Sequence, residues 1–568
     1  MKIPAFFLNE KGRLTVTVLF ACCLSACLKY EVMWDFINYH YYNAFSFLNG
    51  RMMTDIAPAA VLTYFNPLLD VITYCLVNIF NENVTLYYFV CGIPYGLCLY
   101  AFLSILKQFF DLSSPTGKIQ AGTAFAIAAT GYATFSQIGT MSHELTVSFF
   151  VLTAFHMIVK AVFDDETPAG KPFLIAGILL GAAAGLKLTA ALYCVTVGMS
   201  VLCFWRRLKN PGRQVGFLIA GGLTGFLITN GFWMVLLTKW FGNPVFPLFN
   251  RVFRSPFFID ENFKDVTYLE DRTPLQTFLL PFIMIAHFKE NFVAGADFSD
   301  ARFAVAYVAG FVFLFHSITA KICKKTSRMP PRDAFLICFA AITYFLWLFG
   351  SSVIRYAVPL EMMFAVLIVK ALFSLPRRSF FSYALSVSAT VFVCGILIAS
   401  PFFTDPWGSK KGDDFLMDFE QITVPDGTLV LLYGQPMAAL AVPAAKNADV
   451  RILGYTRPAA RYNRMWNFAD TSELGRRREK IVAEHKGGVI AFIKKHPNYV
   501  FTLPENVKKM QCRLPKRRFV SEEGRSKSDL FWPYTVFCWS DELKDRFGEG
   551  KPAKEFVKIP VILPVKNQ

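Results

Sequence analysis

Residues 14–45 read LTVTVLFACCLSACLKYEVMWDFINYHYYNAF. The first part, 14–33, is apolar enough, and near the ~20 residues long, to cross the hydrocarbon of a bilayer. Then the character changes. Residues 34–45 hold one carboxylate, Asp35, one imidazole, His40, three tyrosines and two asparagines, interleaved with phenylalanine. The start is basic, with Lys2, Lys11 and Arg13, which predicts a cytosolic N-terminus and puts residue 35 outside. Leu24–Ser25–Ala26–Cys27 also has the form of a lipoprotein cleavage box behind a basic start, and that reading again leaves residue 35 outside.

The rest of the chain repeats this alternation. Of its 568 residues, 54% are hydrophobic and 17% charged, with 60 phenylalanines, far more apolar surface than a soluble domain needs. Spans are predicted near 14–33, 86–106, 119–137, 144–163, 172–187, 189–205, 215–238, 303–320, 334–353, 357–375 and 382–402, about eleven by the ~20-residue rule. The net charge of +17 does not signal nucleic acid. Its Lys and Arg concentrate in every second short loop, at RRLKNPGR from Arg206, KICKKTSRMPPR from Lys321 and PRR at 376–378, as cytosolic loops do. An odd number of crossings then puts the C-terminus outside.

The expected fold is a polytopic α-helical membrane protein with a C-terminal extracytoplasmic α/β domain. Residues 1–402 form the membrane part, with long external loops at 34–85 and 239–302, and residues 403–568 the appended domain. In the second loop, the 12-residue run LQTFLLPFIMIA is too short to span and reads as interfacial or re-entrant. In the tail, TLVLLYG and VRILGY predict strands and SELGRRREKIVAEH a charged helix. Of the 13 cysteines, eleven lie in apolar blocks or short loops; Cys512 and Cys538 lie in the polar tail and are free to pair if it is outside the cytosol. No internal repeat of the transporter kind is present.

Several residues carry candidate chemistry. Asp35 sits at a helix end among aromatics, where partial desolvation raises a carboxylate's affinity for a proton and suits it to act as a base. Tyr39, Tyr41 and Tyr42 read as an interfacial belt. His40, Arg51 and Asp55 lie in the same loop, Arg51 and Asp55 inside a turn bracketed by Gly50 and Pro58. His143–Glu144 opens the fourth predicted span on the outer side. It is a second acidic site or else a solvated helix start with Ser142 as the cap. The zinc motif fails there, because HELTV lacks the second histidine. Gly177, Gly181 and Gly185 recur every four residues and predict close helix packing. Lys187 ends that helix at membrane depth and either snorkels or meets an anion. Arg355, beside Tyr356, breaks the positive-inside pattern and has the fork geometry that grips phosphate.

Taken in order, Asp35 after the first helix, YHYYNAFSFLNGR, TYFNP, Glu144, GLKLT around Lys187, GNPVFPLFN and RYAVPL resemble the GT-C superfamily of integral-membrane glycosyltransferases, in the bacterial branch of the family 87 and PMT/ArnT-like enzymes. The resemblance covers roughly residues 10–402. It implies transfer of a sugar from a polyprenyl-phosphate donor to a glycan, lipid or protein acceptor on the non-cytosolic face of the plasma membrane. Asp35 is then the general base, with Glu144 and Asp55 as further catalytic carboxylates. His40, Arg51, His143, Lys187, Arg355 and Tyr356 line the substrates, the cations meeting the leaving phosphate. No cofactor is expected, and a divalent cation stays open. One departure is His143–Glu144 where an Asp-centred motif is expected, which leaves metal or acceptor binding there open. The competing readings are a transporter or flippase of lipid-linked sugars, and an inactive assembly protein of the same fold.

Overall fold

The computed structural model describes residues 9–29, 35–164, 170–263, 269, 272–285, 293, 299–322, 329–375, 380–399, 421–434, 437–455, 472–494, 507, 509–513 and 535–552. It is mostly helical. Among the described residues, six helices are long and apolar enough to cross a membrane: Glu10–Leu28, Val84–Phe109, Glu144–Phe163, Pro211–Phe241, Pro331–Gly350 and Ile354–Phe373. The chain is a multi-pass membrane protein. Shorter apolar helices include Lys171–Leu186, Leu188–Cys203 and Ala384–Ala399.

The chain divides into two compact units. One comprises Met1–Glu31, Thr85–Gly231 and Tyr268–Lys411; the other comprises Val32–Val84, Phe232–Thr267 and Gly412–Gln568. The first loop after the first helix therefore groups with the C-terminal region.

In the first unit, small residues set the packing. A side chain at Gly181 would place its Cβ 1.9 Å from the Gly222 carbonyl, and one at Gly225 would come 2.0 Å from that of Ile178. Backbones that touch this closely let dispersion and weak polar contacts replace the hydrophobic drive that lipid does not supply. Lys187 separates Lys171–Leu186 from the helix Ala191–Cys203. Cys194 Sγ donates to Leu180 O at 3.3 Å, so the two helices fold back as a hairpin about Lys187.

The sequence predicts one helix over 119–137, and the chain instead breaks. Pro115–Ala129 ends, and Tyr132–Phe135 starts a separate short turn. Two carboxylates hold the break open. Asp300 accepts from the Tyr132 N–H (3.0 Å), and Glu361 accepts from the N–H groups of Ala133 and Thr134 (2.9 Å each) and from the Thr134 hydroxyl (2.7 Å). Buried helix-end donors need such acceptors. Arg302, fully buried, joins Asp300 (2.7 Å) to Ile127 O and the Thr130 hydroxyl.

In the second unit, six strands among the described residues form one mixed sheet: β1 Leu429–Gly434, β2 Arg451–Tyr455, β3 Val489–Lys494, β4 Gln511–Arg513, β5 Thr535–Trp539 and β6 Lys551–Pro552, in the order β2-β1-β3-β5-β4-β6. β1 pairs parallel with β2 and β3 and is buried along its whole length, as its unbroken apolar run LVLLYG requires. The helix Glu473–Glu484 precedes β3, with Ser472 accepting from the Gly475 N–H as its cap. Cys512 and Cys538 face each other across β4 and β5 and are joined by a disulfide. The apolar run from Leu275 forms two short helical turns, Pro274–Phe278 and Leu280–Ile283, and its last residue, 286, lies outside the described residues.

Candidate functional site

The candidate residues fall into two groups, one in each unit.

The second unit carries Asp35, His40, Arg51 and Asp55. Asp35 is buried and leads into a π-helical turn, Phe36–His40, which continues as the helix Tyr41–Leu48. Single π turns are uncommon and recur at functional sites, because the extra residue per turn re-aims side chains. Tyr39, Tyr41 and Tyr42 are not an interfacial belt. All three are buried, Tyr42 completely, and Tyr41 packs on Tyr74 with ring centres 4.9 Å apart. His40 Nδ1 lies 2.6 Å from an oxygen of Asp70, a buried pair in which the carboxylate fixes the imidazole's orientation. Asp70 is a residue that sequence reasoning missed, although a carboxylate inside LLDVITYCL, flanked by apolar residues, was a signal.

Asp55 is saturated. It takes two bonds from Arg51 (3.0 and 2.9 Å), one from the Tyr42 hydroxyl (2.7 Å) and one from the Ile452 N–H (2.8 Å). Burial pushes its proton affinity up, against the pull of the Arg51 guanidinium. Arg51 also donates to Val450 O. Both residues are thus engaged with the chain itself. Beside them lies a cavity of about 260 Å³ whose lining includes the apolar Met52 and Phe241, the cations Arg451, Arg477 and Lys480, and the carboxylate of Glu484.

The first unit carries His143, Glu144, Lys187, Arg355 and Tyr356. Glu144 is buried, and two cations converge on it: Lys187 Nζ at 2.5 Å and Arg355 Nε at 3.7 Å. Lys187 also donates to Ser142 O at 2.7 Å. The Tyr356 ring lies 5.7 Å from Lys187 Nζ and 5.5 Å from the Arg355 guanidinium, and its backbone carbonyl accepts from the Tyr193 hydroxyl at 2.7 Å. Lys187 is therefore ion-paired rather than snorkelling. Ser142 does not cap the Glu144 helix, because its hydroxyl donates to the Gln137 side chain at 2.5 Å. His143 stands at the cap position instead, in the left-handed region at φ 65°. A non-glycine residue held there costs ~1–3 kcal/mol, the kind of strain that collects at functional sites.

One carboxylate holds two cations together here, and the Tyr356 ring adds a π face. Paired cations of this kind have the chemistry that meets an anion such as phosphate. Glu361, Asp300 and Arg302 were also missed. The signal was an ionisable residue inside a predicted span, Glu361 in 357–375.

No family model and no curated protein sequence matches the chain. Solved structures do. The chain is similar to the crystal structure of ArnT from Cupriavidus metallidurans in the apo state, with a TM-score of 0.53 and 13% identity over 93% of this chain and 97% of that one. The crystal structure of the same ArnT bound to undecaprenyl phosphate aligns with a TM-score of 0.43 and 16% identity over 68% of this chain; the alignment spans 64% of that chain, less than two thirds of its length. At 13% identity the likeness to the apo structure establishes the fold alone, which is that of ArnT.

Proposed function

We propose that the protein is a membrane glycosyltransferase of the GT-C type that takes a sugar from a polyprenyl-phosphate donor and transfers it to a glycan, lipid or protein acceptor on the non-cytosolic face. The observation that carries this reading is the ArnT fold along 93% of the chain. Each group of residues offers chemistry that such a transfer would use. The acceptor hydroxyl gives its proton to Asp35 as its oxygen attacks the anomeric carbon. The bond from that carbon to the phosphate oxygen breaks, and its electron pair leaves with the lipid phosphate. Lys187 and Arg355 meet the charge on the leaving phosphate, and Glu144 keeps both cations aimed at one point. His40, oriented by Asp70, and Tyr356 line the substrates, and the strained His143 fixes the start of the Glu144 helix. Asp55 and Arg51 hold the loop rather than transfer protons. Residues 1–402 form the catalytic membrane part and 403–568 an extracytoplasmic domain.

The test is direct. Purified protein is assayed with labelled polyprenyl-phosphate sugars, beside Asp35→Asn. Transfer by the wild type and a loss of ~10²–10⁴ in rate for the variant is the expected result. Movement of lipid-linked sugar across a vesicle without transfer would make the protein a transporter. An Asn variant within threefold of wild type would remove Asp35 from the base role. Reporter fusions near residues 210, 326 and 378 should read as cytosolic, and those near 60, 265 and 480 as external.

A further inference from the structure

β2 is an edge strand of the C-terminal sheet, and the first loop covers that edge. Ile56 N–H donates to Ile452 O at 2.9 Å, Gly454 N–H donates to Ile56 O at 2.9 Å, and Ile56 pairs in parallel with Leu453. An uncovered edge presents unpaired backbone groups, so this contact satisfies donors and acceptors that would otherwise be exposed. It joins segments nearly 400 residues apart in sequence, and the side-chain bonds around it run the same way. Asp55 binds the Ile452 N–H, and Arg51 binds both Asp55 and Val450 O.

The contact also demands a glycine. A Cβ at Gly454 would stand 2.0 Å from the Ala57 carbonyl, and that neighbour is backbone, which cannot swing aside. On its other side the clamp reaches the helix that follows Asp35. The Tyr42 hydroxyl donates to Asp55 Oδ2 at 2.7 Å, and Tyr42 lies in the helix Tyr41–Leu48, which continues the Phe36–His40 turn without a break.

We propose that strand β2 is a positioning element for the Asp35–His40 turn, and that Gly454, Asp55 and Tyr42 are positioning residues that tie this turn to the C-terminal sheet. In this scheme the C-terminal region sets the rate of transfer and not the affinity for the donor. The role in catalysis rests on the proposed glycosyltransferase reading; the mechanical link does not. A displacement near 1 Å of a catalytic group costs ~10²-fold in rate with little change in binding, so the effect falls on kcat.

The test uses the full chain with two variants. Gly454→Ala puts a methyl group against Ala57. Tyr42→Phe removes one hydroxyl and keeps the ring, so it leaves the fold intact. Each should lower kcat about tenfold or more, with donor KM and donor affinity within threefold of wild type. Hydrogen exchange over residues 36–48 should speed up in both variants, and that readout needs no activity. If both variants keep kcat within twofold of wild type, or if exchange over 36–48 is unchanged, β2 does not position the turn. If the wild type transfers no sugar, the enzyme reading fails, and the exchange arm alone then supports or overturns the mechanical link.

Discussion

Removing the charge of Glu144 tests the electrostatics of the first unit most sharply. Glu144 is buried, 2.5 Å from Lys187 and 3.7 Å from Arg355. Coulomb attraction falls as 1/r, so Lys187 supplies roughly three fifths of the attraction at this carboxylate and Arg355 the rest. Glu144→Gln keeps the shape and removes the charge that holds the two cations together. Breaking a buried pair by removing one partner costs ~3–5 kcal/mol. Here the cations' side chains are 17% and 14% exposed, so residual hydration puts the expected loss at the lower end of that range, about 3 kcal/mol. Adding Lys187→Met leaves one cation in place of two. The double variant should therefore recover about 2 kcal/mol, a coupling within the range for residues in direct contact. The assay is equilibrium unfolding in detergent for the wild type, both single variants and the double. A soluble polyprenyl-phosphate analogue should stabilise Glu144→Gln more than the wild type, because the anion replaces the lost carboxylate. A Glu144→Gln variant within 0.5 kcal/mol of wild type, or zero coupling to position 187, would refute the argument.

Reducing the Cys512–Cys538 bridge opens a loop with a sequence separation of 26 and should cost the C-terminal sheet about 3.5 kcal/mol on the loop-entropy scale; limited proteolysis of Cys512→Ser against wild type measures it. Gly181→Val should cost about 2–3 kcal/mol, since its first carbon would sit 1.9 Å from the Gly222 carbonyl; a thermal shift in detergent that matches wild type would mean that the helices separate freely. Glu473 is held below the usual carboxylate range, first by hydrogen bonds from Arg477 and Arg476. Its contribution to the Glu473–Glu484 helix is therefore complete above the ordinary Glu value of ~4.3 and lost as pH falls through its depressed value, so amide exchange in the first turn of that helix should quicken only in that acid window.

The membrane helices were legible because they are local. An apolar run near bilayer length has no other stable home, and 144–163 was read residue for residue as it forms. The strands at 429–434 and 451–455 were legible through short-range apolar patterning, and the helix at 473–484 as a charged helical run. The glycine spacing announced a close approach, but not that Gly222 and Ile178 would be what approached. Candidate residues were also findable by type: Asp35, Glu144, Lys187 and Arg355 stand out because charge at membrane depth is costly. Their relations were not legible. That Lys187 and Arg355 turn to Glu144, that His40 pairs with Asp70, and that Asp300 and Glu361 hold open the break after Ala129 all depend on which helices adjoin, and no residue's own neighbours in sequence record that. The same holds for the first loop. Asp55 reads as a candidate catalytic carboxylate in the turn between Gly50 and Pro58, and only the arrival of β2 from nearly 400 residues away buries it and saturates its oxygens. Periodicity and hydropathy are properties of a segment, so the sequence alone decides them. Ion-pair partners and edge contacts are properties of the closed chain, because burial, which makes them strong, exists only once distant segments have met.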